Sequence, residues 1–195
     1  LVVLPGAFYF PRYIERDDGS RQRFPRTLSR EDLVSEKVKI VESKTPVLLA
    51  DGGIMVTGEV ERTTGFEKGL PGALMEKDGE MEPDLIADDQ ALVMNLREKG
   101  LVVISGCSHS GIINTILYAQ KVTGLGKIHA VLGGFHLTGP AFESIIEKTI
   151  SELKNVAPEV VVPMHCTGWK AIQRFSQEFP SAFVLNSVGS KINLS

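Results

Sequence analysis

Three of the four histidines of this chain stand in one repeated setting. His109 follows the apolar run Leu101–Ser105 in Ser-Gly-Cys-Ser-His-Ser-Gly, and His136 follows Ile128–Leu132 in Gly-Gly-Phe-His-Leu-Thr-Gly. His165 follows Val160–Val162 in Pro-Met-His-Cys-Thr-Gly. Each time a strand-like segment ends, small residues turn the chain, and an imidazole stands at the strand's C-terminal end. Open α/β sheets place their ligands at that end. A histidine alone in such a turn is well explained as a hydrogen-bonding cap. Three in the same place point instead to one shared site, and imidazole is the commonest ligand for zinc and similar metals. His129 lies inside a strand pattern and reads as a structural histidine.

Cys107 and Cys166 each neighbour one of these histidines. Soft metal ligation, thiol redox chemistry and simple packing are all open to them, and packing is the expected role. A Cys–His nucleophile pair would need a third group to orient it, and the sequence offers no clear one.

The elements that must position these residues follow from periodicity. Ala91–Leu96 and Leu101–Ser105 read as a hairpin, the second strand buried on both faces. Helices are predicted over Ser110–Lys121, over the Phe142–Val156 stripe and over Trp169–Phe179, with strands at Ile128–Leu132 and Val160–Val162 between them. Phe183–Leu185 and Ile192–Leu194 are expected to close the chain as strands. Upstream, Leu1–Leu4, Val38–Val41, Val47–Ala50 and Ile54–Thr57 read as short strands and Ser29 as a helix start. Residues 58–90 show little periodicity and are expected to form a long surface excursion that shapes the mouth of the site.

Composition excludes several classes. With 43% hydrophobic residues in 195, the chain has material for a core. Its net charge of −3 attracts neither nucleic acid nor anionic membrane, and the Arg21, Arg23, Arg26, Arg30 stretch reads as a solvated loop. No apolar run reaches the ~20 residues of a membrane-spanning helix. Two cysteines suit a reducing cytoplasm.

Together, Gly-Cys-Ser-His-Ser-Gly-Ile-Ile-Asn-Thr at 106–115, Gly-Gly-Phe-His-Leu at 133–137 and Pro-Met-His-Cys-Thr-Gly at 163–168 resemble the metallo-β-lactamase-fold group typified by dihydropterin phosphate synthases. Asp88-Asp89-Gln90-Ala91-Leu92 also matches that group, and the resemblance covers about Asp88 to Ser195. It implies an αββα sandwich with a one- or two-metal site at one sheet edge. His109 and His165 would then be ligands of zinc or a similar divalent metal, and His136 a further ligand or a substrate-facing catalytic acid/base. Cys107, Ser108 and Thr167 would orient the imidazoles. The family's His-x-His-x-Asp-His signature does not occur in this sequence. The chain is therefore expected to be the C-terminal part of a single domain spanning 1–195, incomplete at its N-terminus. Any metal it holds alone would be weak, and it is expected either to self-associate through exposed sheet surface or to have been excised from a longer chain that folded intact.

The function implied is a metal-dependent hydrolase acting on an anionic or phosphorylated small molecule. The alternatives are a synthase-like transferase acting on dihydropterin and phosphorylated aminobenzene substrates, a degenerate binding or oligomerisation module, and a metal-free Cys/His hydrolase.

Overall fold

A computed structural model describes residues 1–26 and 28–194. Its main element is a six-stranded mixed sheet built from β5 (Val47–Leu49), β6 (Ile54–Val56), β9 (Ala91–Leu96), β10 (Gly100–Ser105), β11 (Ile128–Gly134) and β12 (Val160–Met164). The spatial order is β12-β11-β10-β9-β6-β5. β10, β11 and β12 run parallel, and β9 joins β10 as the expected antiparallel hairpin with Leu96 opposite Gly100.

The parallel strands need crossover helices, and the chain supplies them as α2 (Ile112–Thr123) and α4 (Ile146–Val156), with α5 (Trp169–Glu178) after β12. Ile112, Ile113 and Ile116 of α2, Ile146, Ile150 and Leu153 of α4 and Phe175 of α5 share one core with Leu101, Val103, Val131 and Val161 of the sheet. Alternate residues of the same strands (Val102, Ala130, Leu132, Val162) face the other way, against Val184, Ile192 and Leu194. So β10 is covered on both sides, as its unbroken apolar run requires. Farther along that second face Leu49 of β5 and Leu92 of β9 are exposed, whereas Leu48, opposite Met55, is exposed on the first face.

Two smaller sheets flank this body. β1 (Val2–Val3) pairs in parallel with β4 (Val41–Glu42), which begins at the last residue of the predicted Val38–Val41 strand. Between β1 and β4 lies α1 (Arg30–Ser35), capped as expected by Ser29, whose hydroxyl accepts from the Asp32 amide. A four-stranded antiparallel sheet orders β2 (Arg12–Glu15), β3 (Arg21–Arg23), β7 (Ala73–Lys77) and β8 (Glu80–Pro83) as β3-β2-β7-β8.

That sheet corrects the reading of 58–90 as irregular. Glu-Met-Glu-Pro in β8 has no inward apolar face, and all four residues are exposed, so periodicity had nothing to detect. The local signal was Asp78-Gly79: both adopt positive φ, forming a two-residue hairpin turn between Lys77 and Glu80. Arg21 and Arg23, expected in a loop, lie on the exposed edge strand β3. The strands expected at 183–185 and 192–194 reduce to a single Val161–Phe183 bridge and to side-chain packing by Ile192 and Leu194. The predicted Phe142–Val156 helix is broken: α3 (Pro140–Glu143) ends in a tight turn where the Ile145 amide bonds Phe142 O, and α4 begins at Ile146.

Arg12 ties the outer sheet to the segment leading into the site. Its guanidinium meets Asp84 at 3.5 Å and Asp88 at 2.9 Å. Asp84 is nearly buried, so Arg12→Ala would leave a carboxylate without its cation. We expect a loss of about 1 kcal/mol, read as a lower urea midpoint at unchanged slope.

Candidate functional site

Strands β10, β11 and β12 end side by side, and their loops are laced together before any histidine is considered. The Gly134 amide donates to Gly106 O at 2.8 Å, and the Leu137 amide to Cys166 O at 3.1 Å. Ser108, in the left-handed region at φ 57°, donates its hydroxyl to Gly134 O at 2.7 Å. Thr167, fully buried, accepts from the Phe135 amide. Ser108 and Thr167 therefore hold loops, whereas Cys107 alone of the expected orienting residues touches an imidazole. The family-implied histidines are thus set on a rigid frame, the arrangement a preorganised site needs.

His109 and His136 face each other, ring centroids 4.3 Å apart, with Phe142 edge-on to His136 at 4.4 Å. The Nδ1 atom of His109 and both ring nitrogens of His136 are buried with no hydrogen-bond partner. His136 sits at φ 48°, a left-handed conformation that non-glycine residues adopt at a cost of about 1 kcal/mol or more. Unpaired buried imidazole nitrogens are costly, and a metal ion or a substrate is what such atoms accept. Burial, then His109 and His165, push the His136 pKa down to about 4. His109 is also lowered, mainly by burial, while Asp89 and Asp88 pull it back. Both imidazoles therefore offer neutral lone pairs near pH 7.

His165 is arranged differently. It is exposed, and its Nε2 lies 3.1 Å from Cys107 Sγ. Cys166 donates to Cys107 O at 3.4 Å, and burial pushes its thiol pKa up to about 12. So the structure sets His109 with His136, and His165 with the two cysteines. His129, as expected, is structural: Nδ1 bonds Glu159 and Nε2 bonds Leu194 O.

A cavity of about 340 Å³ opens on His109 and His136 and is also lined by Lys68, Lys148, Phe142 and Glu67. Its floor was not legible in the sequence. Helix α2 starts at Gly111 without a side-chain cap of its own. Glu67, remote in sequence, supplies one: its carboxylate accepts from the Ile113 amide at 3.0 Å and the Asn114 amide at 2.8 Å. Burial raises the Glu67 pKa against these bonds. Asn114 answers by accepting from the Thr63 and Thr64 amides, both at 2.8 Å. Asp89 accepts from the Ser110 amide next to His109. These partners lie about 20 to 50 residues away in sequence, and the only hint was an acidic residue in an otherwise unpatterned segment.

The mixed sheet covered by crossover helices, with histidines at the ends of three adjacent parallel strands, has the fold of the metallo-β-lactamase superfamily. The chain is 36% identical over 157 residues to the 7,8-dihydropterin-6-methyl-4-(β-D-ribofuranosyl)-aminobenzene-5'-phosphate synthase of Methanocaldococcus jannaschii, a match covering 79% of this chain and 52% of that enzyme. It is 38% identical over 144 residues to an uncharacterized protein of the same organism, covering 74% of this chain and 51% of that one. Among solved structures it is similar to Tm1679, a metal-dependent hydrolase of the beta-lactamase superfamily, with a TM-score of 0.79 and 27% identity over 98% of this chain and 70% of that one. No family model matches the chain. The chain spans about half the length of the curated relatives it matches. Among the described residues no helix is long and apolar enough to cross a membrane.

Proposed function

We propose that the protein is a metal-dependent hydrolase acting on an anionic or phosphorylated small molecule. The observation that carries this is the pair of facing imidazoles, His109 and His136, whose buried nitrogens lack partners and open on a cavity with Lys68 and Lys148 at its wall. The residues fit a divalent metal: neutral nitrogen donors whose buried atoms lack partners, on loops held together by hydrogen bonds. His109 and His136 would hold it, with His165 close enough to depress His136. When bound, such an ion polarises a carbonyl or phosphoryl oxygen and makes hydroxide available near neutral pH.

The chain's own contribution is positioning. The ammonium groups of Lys68 and Lys148 favour a negatively charged substrate group at the cavity wall. Phe142 excludes water beside His136. With a pKa near 4, His136 serves as a ligand or proton acceptor rather than as an acid at neutral pH. The likeness to the dihydropterin enzyme favours a second use of the same site, a synthase-like transfer from a phosphorylated substrate. The net charge of −3 and the two free thiols support a small-molecule partner and a cytoplasmic setting.

The test is metal content and activity of the protein with the metal it is purified with, against a panel of phosphate mono- and diesters. His109→Ala and His136→Ala are each expected to abolish turnover while leaving the fold intact by circular dichroism. Full activity in either variant, or turnover indifferent to chelators, would overturn the hydrolase reading. Release of a condensed product instead of phosphate or alcohol would select the transferase.

A further inference from the structure

A second cavity lies away from the histidines, beneath the aromatic segment near the start of the chain. It measures about 310 Å³ and shares no lining residue with the His109–His136 cavity. Four rings, those of Phe8, Tyr9, Phe10 and Phe24, line it. A cavity at the lower end of the ligand-site range, about 300 to 1,000 Å³, takes one ring system rather than a strand or a peptide. Aromatic walls favour a flat ligand, which stacks on their faces.

The two ends of the cavity differ. Gln90 stands at the buried end: its Nε2 donates to Val2 O at 3.5 Å, and its Oε1 is buried with no partner. The charges beside it are already matched, since Arg12 meets Asp88 at 2.9 Å. What this end lacks is therefore a neutral N–H donor. The outer end lacks an anion. Past Phe10 and Phe24 the cavity continues into a cleft flanked by Arg23 and Arg26, both exposed. Arg26 bonds Glu31 at 3.0 Å, whereas Arg23 makes no ion pair among the described residues and lies over the Phe10 ring at 4.9 Å. A guanidinium stacked on an aromatic face keeps its N–H edge for an oxyanion.

We propose that this cavity binds a flat nitrogen heterocycle bearing a phosphate, a nucleoside monophosphate being the simplest of the class. The ring stacks on the aromatic walls, an N–H at its inner edge donates to Gln90 Oε1, and the phosphate reaches Arg23 and Arg26. The site uses no histidine and no residue of the hydrolase cavity, so it goes beyond that reading and does not depend on it.

The experiment is a calorimetric titration of the purified protein with adenosine 5'-monophosphate, whose exocyclic amine supplies the N–H. Binding should saturate at one ligand per chain. Adenosine should bind about tenfold more weakly, and ribose 5-phosphate should not saturate. Arg23→Gln, at an exposed position where folding is not at stake, should weaken the monophosphate more than about threefold and leave adenosine unchanged. Phe24→Leu should weaken both more than about fivefold. Gln90→Leu should weaken the monophosphate but not purine riboside 5'-monophosphate, which lacks the amine. His109→Ala and His136→Ala should bind as the unsubstituted protein does, so this proposal and the hydrolase reading fail separately. No saturable binding, ribose 5-phosphate binding as well as the nucleotide, or a titration indifferent to both Arg23→Gln and Phe24→Leu would each overturn it. Loss of binding in His109→Ala would overturn it too, by placing the nucleotide in the other cavity. So would tighter binding of a short single-stranded RNA, which would make the face a strand groove.

Discussion

Gly111→Ala is expected to destabilise the protein by about 3 kcal/mol and to collapse one wall of the cavity. Gly111 has φ 97°, outside the range an alanine adopts without strain, which costs about 1 kcal/mol or more. Its missing side chain is also where Glu67 lies: a Cβ built there overlaps the Glu67 carboxylate. Because Glu67 is 5% exposed and boxed in by Thr64, Ile113 and Asn114, it has no solvent-facing rotamer to retreat to without breaking its bonds. Overpacking of this kind costs about 1–3 kcal/mol, and each lost amide bond about 1 more. The measurement is chemical denaturation, with proteolysis of the 58–67 segment as a local readout. A double variant, Gly111→Ala with Glu67→Ala, should recover part of the loss, since the overlap is then gone and only the backbone strain and the missing cap remain. If the double variant is less stable than the single by the full cost of losing Glu67, the overlap is not the cause.

That interaction marks where sequence reasoning stops. Leu101–Ser105, Ile128–Leu132 and the α2, α4 and α5 stripes were legible because each buries a face large enough to impose a period on the residues themselves. The three histidines were legible for a related reason: a buried strand must end, and the residues just past its end are confined to one edge of the sheet. Glu67 had no such signature. Its role is set by a cap lying 46 residues away, and nothing in Thr-Thr-Gly-Phe-Glu announces a helix elsewhere that lacks its own N-cap. The grouping of side chains was hidden as well. His109, His136 and His165 look equivalent along the chain, yet the turn after Met164 faces His165 toward Cys107, whereas the positive φ of His136 turns it toward His109. Residues 73–83 failed differently. Their hairpin is held by backbone pairing and an Asp-Gly turn, so hydrophobic patterning could not find it, although the turn residues could have.

In metal-free protein, stability should fall by about 2 kcal/mol as the pH drops from 6.5 to 4, and most of that fall should vanish in His136→Asn. The sign is set by proton binding. An unfolded His136 titrates at its ordinary value of 6.5, whereas in the fold it titrates at about 4. Between those values the unfolded chain holds the proton and the folded chain does not, so acid favours unfolding there. Above pH 6.5 both states are neutral and the full stability is present. A shift of this size corresponds to roughly 3 kcal/mol at about 1.36 kcal/mol per unit. Residual solvent access reduces it to about 2. The cause is local: the ring lies between His109 and Phe142 within reach of His165, with no acidic partner at either nitrogen. Asparagine is the informative replacement because it tolerates the left-handed backbone at this position while carrying no titratable ring. His109, also depressed, should keep a smaller slope in the variant. Urea midpoints measured in chelator at half-unit pH steps decide the matter; identical pH profiles for the two proteins would show that His136 is charged in the fold or already solvated. The same neutrality connects stability to function. An imidazole that gives up its proton at about pH 4 presents a free lone pair to a metal throughout the physiological range, with no proton to displace first. Added zinc should therefore restore stability above about pH 5 more in the wild type than in His136→Asn.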